Sequence, residues 1–136
     1  MFDLPGALRR TTLHALISLF VLSLAACGGT SSSATAGPTV SVSGGKVAIS
    51  ADKLRFDVGA INAKAGEAFT IAFTNKESQP HNVAVYRSKG GEKIVGGEII
   101  TGPDKSNEIS VPALAAGTYY FQCDVHAEMN GSIIVS

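Results

Sequence analysis

Cys123, His126 and Met129 stand three residues apart near the C-terminal end of the sequence, in Phe121-Gln-Cys-Asp-Val-His-Ala-Glu-Met-Asn-Gly131. A thiolate, an imidazole and a thioether are soft or borderline donors. Together they suit copper, which takes two His and one Cys in a trigonal site with a weak axial Met. This stretch supplies one His, so a second must come from elsewhere. The candidate is His81, in Gln79-Pro-His-Asn-Val-Ala-Val85. The chain holds three His, two Cys and two Met. His14, Cys27 and Met1 lie near the N-terminus, and every other residue of these types falls in one of the two segments. Taken singly, a Cys on an inward strand face is usually a small buried hydrophobe, and a lone Met is usually core filler. Their joint spacing and their scarcity elsewhere favour the metal reading. Asp124 and Glu128 read as surface charges around the site, not as catalytic groups.

The elements that must position these residues show a period of two. Phe69, Ile71 and Phe73 alternate with Thr70, Ala72 and Thr74, the mark of a half-buried strand. Val83 and Val85 alternate with Asn82 and Ala84, and Ile109 and Val111 with Glu108 and Ser110. Tyr119, Phe121 and Cys123 share one face, and residues 132–135 make a short last strand. Residues 47–49 and 56–61 are two further strands near the start of this region. The Phe69, Phe73 stripe and the Tyr119, Phe121 face are expected in the core. Turn signals separate the strands, among them Lys64-Ala-Gly66, Lys89-Gly-Gly91 and Thr101-Gly-Pro-Asp104. Residues 93–103 read as an irregular connection because of Gly96-Gly97. The expectation is an all-β, antiparallel β-sandwich of seven or eight strands spanning residues 46–136. Loops of a sandwich gather at its two ends, so His81 and the Cys123 loop can converge although they are far apart in sequence.

Residues 1–26 read as a leader. Arg9 and Arg10 form a basic start, and residues 13–26 are an apolar run. The run has about 14 residues, against the ~20 that a spanning helix needs. Leu24-Ala-Ala-Cys27 resembles the bacterial lipobox, which implies that Cys27 is lipidated and becomes the mature N-terminus. Residues 27–45 are rich in Gly, Ser, Thr and Ala and read as a flexible linker behind that Cys. As a coil the linker reaches roughly 20–25 Å. The expected location is a membrane, lipid-anchored, facing the periplasm or the cell exterior. Once Cys27 carries a lipid, Cys123 has no partner for an internal disulfide. Lys and Arg total 11, and so do Asp and Glu. The balance includes no basic block, so nucleic acid is not an expected partner.

The two candidate segments resemble the cupredoxins, the small type 1 blue copper proteins. Pro80-His81-Asn82-Val83 is similar to the first-ligand segment of plastocyanins. Gly117-Thr-Tyr-Tyr-Phe-Gln-Cys123, followed by His126 and Met129, is similar to the short ligand loop of the amicyanin type. The resemblance implies a Greek-key sandwich with one copper ion held by His81, Cys123, His126 and Met129. It also implies that Asn82 ties the first-ligand segment to the Cys loop, an outer contact of the kind that orients ligands. The chain departs from the amicyanin type where Ala127 and Glu128 replace a Pro and a large apolar residue. Glu128 thus places a charge near the patch where partners dock in that family.

The reading that follows is an electron carrier without enzymatic activity. It exchanges single electrons with a redox donor and acceptor, as a monomer attached to membrane through the lipid on Cys27. The alternative is a copper-binding or delivery protein that does not shuttle electrons. Delivery favours exposed, Met-rich or paired-Cys sites, which one Cys and one Met do not make. A binuclear copper centre would need a second Cys in the loop, and a metal-free adhesion sandwich would not need the ligand spacing.

Overall fold

The computed structural model describes residues 37–136. The leader, Cys27 and the linker up to residue 36 lie outside the described residues. Two sheets form the domain. The first runs β1 (Thr39–Ser41), β4 (Ala60–Ala63), β10 (Asn130–Val135), β9 (Gly117–Gln122), β6 (Ala84–Tyr86), β7 (Lys93–Gly96). The second runs β3 (Arg55–Phe56), β2 (Lys46–Asp52), β5 (Phe69–Asn75), β8 (Lys105–Val111). No helix occurs among the described residues.

Strand β5 shows how sequence becomes layer. Its residues alternate strictly between buried and half-buried, so Phe69, Ile71 and Phe73 face the other sheet. Phe121 from β9 points back at them. Phe56 bridges the layers, with its ring 5.6 Å from that of Phe121 and 6.2 Å from that of Phe73. Burying such side chains contributes roughly 1.5–3 kcal/mol each. Tyr119 is half-buried against this core, and its hydroxyl donates to Ala115 O at 3.0 Å. Gly131 on β10 is there for space: a Cβ would come within 2.4 Å of the Phe121 ring and 2.5 Å of Gly59 O.

The all-β sandwich matches the expectation, but its pairing is mixed. β1 and β10 flank β4 in parallel, and β2 pairs with β5 in parallel. Alternation reports which face is buried and carries no information about the direction of a neighbour. Here the chain passes from one sheet to the other and back between β3 and β5, so strands meet in parallel across a crossover. Among the described residues the strands number ten, where seven or eight were expected. The expected strand over residues 56–61 is split into β3 and β4. Asp57 does this by turning its carboxylate onto Ser50, accepting from N and Oγ, each at 2.7 Å. β7 lies within the stretch expected to be irregular, and β1 lies within the expected linker. The domain therefore begins before residue 46. Thr39 and Val40 are β-branched, β4 offers an open edge, and Val40 and Val42 pack on the core.

Candidate metal centre

His81 lies between β5 and β6, where it forms an isolated bridge to Ile100 with backbone bonds of 3.0 and 2.9 Å. Asn75, fully buried at the end of β5, holds the intervening turn. Its Nδ2 donates to Gln79 O at 2.7 Å and Ile100 O at 3.0 Å, and its Oδ1 accepts from Glu77 N at 3.0 Å. Glu77 is thereby placed beneath His81, with Oε1 2.8 Å from Nε2. With Nδ1 turned to a metal, Nε2 carries the proton and donates, which fixes the ring and its tautomer. The Leu54 N–H also donates to Glu77 Oε1 at 2.8 Å. That bond, opposed by burial and aided by His81, holds the Glu77 carboxyl below its ordinary range.

Cys123 follows β9 and continues its alternation, so its sulfur points inward beyond Phe121 and is fully buried. The next six residues turn back at once into β10. Cys123 N donates to Met129 O and Met129 N donates to His126 O, both at 2.9 Å. This closure puts Met129 in the core, 1% exposed, and leaves His126 half-buried. Asn130 Nδ2 steadies the loop by donating to Ala127 O at 2.9 Å and Glu128 O at 3.1 Å.

The two segments meet. Cys123 Sγ is 3.7 Å from His81 Nδ1 and 3.8 Å from His126 Nδ1. All three donor atoms lie within 4.8 Å of one another, and the two imidazole centroids are 4.8 Å apart. Bonds typical of a first-row ion, about 2.3 Å to sulfur and 2.0–2.1 Å to nitrogen, set each nitrogen about 3.7–3.8 Å from the sulfur in a trigonal arrangement, as the two S···N separations here are. Two imidazole nitrogens, a thiolate and a nearby buried thioether fit one type 1 copper ion.

Asn82 joins the two segments. Its Oδ1 accepts from Asp124 N at 2.8 Å, and its Nδ2 donates to Asp124 Oδ2 at 2.8 Å and to Gly97 O at 3.0 Å. Asp124 is therefore more than a surface charge: its side chain is 22% exposed and tied into the site's frame. Glu128 is exposed, as a surface charge should be. Glu77 escaped sequence reasoning, because an acid four residues before His81 has no mark to set it apart from other surface acids.

Residues 15–135 match the profile of the Cupredoxin-like domain. The chain is 36% identical to Amicyanin-alpha of Methylorubrum extorquens over 92 residues, covering 67% of this chain and 72% of that one. It is 32% identical to Auracyanin-A of Chloroflexus aurantiacus, covering 93% of this chain and 97% of that one. The solved structure of reduced auracyanin from Roseiflexus castenholzii superimposes with a TM-score of 0.60 at 22% identity, over 70% of this chain and 99% of that one, a likeness of fold. The chain belongs to the cupredoxin-like family.

Proposed function

We propose that this protein is a membrane-tethered blue copper protein that carries single electrons between redox partners outside the cytoplasmic membrane. The observation that carries the reading is the convergence of His81 Nδ1, Cys123 Sγ and His126 Nδ1 at the buried end of the sandwich. His81, Cys123 and His126 would hold the ion, with the Met129 thioether as its weakest donor. The bound ion supplies one-electron redox chemistry. The chain supplies the frame: His81 is fixed by Glu77 and by its bridge to Ile100, and Cys123 by the closure of its own loop. A frame satisfied in this way holds the donors still when the charge of the ion changes. Burial of Cys123, His81 and Met129 excludes water from three sides. Half-buried His126 is the way through which electrons enter and leave. Four protein ligands leave no open position for a substrate, so the role is transfer and not catalysis. Tethering rests on the Leu24-Ala-Ala-Cys27 motif.

The test is an absorption spectrum of the copper-loaded, oxidised protein. An intense blue band from thiolate-to-copper charge transfer is expected, and Cys123→Ser should abolish it. A colourless wild-type protein overturns the reading. The tether is tested separately: Cys27→Ser should move the protein from the membrane fraction to the soluble fraction and leave the band intact.

A further inference from the structure

We propose that Tyr86 and Lys93, by gripping the Asp124 carboxylate from β6 and β7, are positioning residues for the Cys123 loop and set the potential of the site. The proposal rests on the copper reading above. Asp124 follows Cys123 directly, and Asn82 follows His81 directly. The reciprocal pair of bonds between Asn82 and Asp124 is thus a clasp between two neighbours of ligands.

A second layer holds the clasp. Tyr86 on β6 donates its hydroxyl to Asp124 Oδ1, and Lys93 Nζ on β7 donates to Oδ2 at 2.7 Å. Lys93 Nζ also lies 5.6 Å from the centre of the Tyr86 ring, a cation over an aromatic face. The backbone is shaped for this. Between Val85 and Tyr86 the β6–β7 register slips, so Tyr86 faces Lys93 where an even ladder would give Ile94. A bulge of this kind re-aims a side chain.

The electrostatic consequence follows from position. A carboxylate one residue from the thiolate ligand favours the more positive, oxidised ion and lowers the potential. Lys93 and the Tyr86 hydroxyl draw that negative charge away from the site. An exposed ion pair alone contributes little; here the pair is joined to two further hydrogen bonds on one carboxylate.

Tyr86→Phe removes a donor and changes no charge, so it isolates the grip from simple Coulomb effects. Its midpoint potential by voltammetry should fall below that of the wild type, and Lys93→Met should lower it further. In an Asp124→Asn background, itself higher in potential, Tyr86→Phe should have no effect. In the metal-free protein, hydrogen exchange at the Asp124 amide should quicken in Tyr86→Phe. Equal shifts from Tyr86→Phe in both backgrounds, or no shift in either, overturn the proposal. A wild-type protein without the blue band overturns the copper reading and the potential-setting role with it. The metal-free exchange still reports the grip in that case, and an unchanged rate overturns it.

Discussion

Residues 75–82 and the loop from Cys123 to Met129 supply one site from two sides, and they are constructed differently. On the first side Asn75, His81 and Asn82 are each 0–1% exposed, and their polar atoms are matched by named partners. On the second side only Cys123 and Met129 are buried; Asp124, Val125, Ala127 and Glu128 are exposed, and His126 is half-buried. The first side derives its shape from long-range bonds to Ile100, Gly97 and Leu54. The second derives it from a hairpin closed on itself, tied to the rest of the fold at Asp124 alone among its exposed residues. One side therefore fixes geometry, and the other gives access. A site of this kind can be stiff towards the ion and open towards a partner.

The largest test of that difference exchanges the two histidines for glycine. His126→Gly should open the site to solvent, and added imidazole should restore the blue band. His81→Gly should leave a sealed cavity that imidazole does not rescue, because His81 is wholly buried. Equal rescue of both would erase the distinction.

A second test compares two asparagines by urea unfolding of the metal-free protein. Asn75→Ala removes three bonds of a fully buried side chain, to Gln79 O, Ile100 O and Glu77 N, and should cost about 2–3 kcal/mol, at roughly 1 kcal/mol for each bond. Asn130→Ala removes bonds to loop carbonyls that water can replace, and should cost less than ~1 kcal/mol. Similar losses would mean that the loop side is as tightly determined as the other.

The smallest expected effect lies at Met129, on the loop side but inside the core. Met129→Leu should retain copper and raise the potential, because loss of a donor disfavours the oxidised ion. Met129→Gln should lower it, since an oxygen donor favours that ion. Voltammetry decides, and shifts of one sign for both would refute axial tuning.

The candidate ligands that the fold brings together, His81, Cys123 and His126, were legible in the sequence because soft donors are rare here and their spacing repeats. The Phe69, Ile71, Phe73 stripe was legible because a seven-residue strand displays its period. What stayed hidden depends on partners far along the chain. Glu77 matters only because β5 ends in Asn75 and turns it under His81. The contact of Lys93 with Asp124 depends on a bulge that sets Lys93 opposite Tyr86. The β2–β3 turn was missed for a different reason. Lys53 and Leu54 both adopt left-handed backbone, with φ of 55° and 56°, at positions where Asn or Gly is the usual signal. The bond from Leu54 N–H to Glu77 accompanies that strained conformation. Parallel pairing could not be read at all, since alternation is the same for either direction.

The short outer strands have a consequence for crowding. Backbone groups on an open strand edge invite a second chain to pair with them. Here β1 caps β4 with only three residues, β7 closes the other side with four, and β3 has two. The longer edge, β8, carries Lys105 and Glu108 outward. Such margins offer little template for one copy to zip onto the next. If the proposed tether crowds identical copies onto a membrane, such margins would discourage fibre-like stacking and leave each copy free to turn.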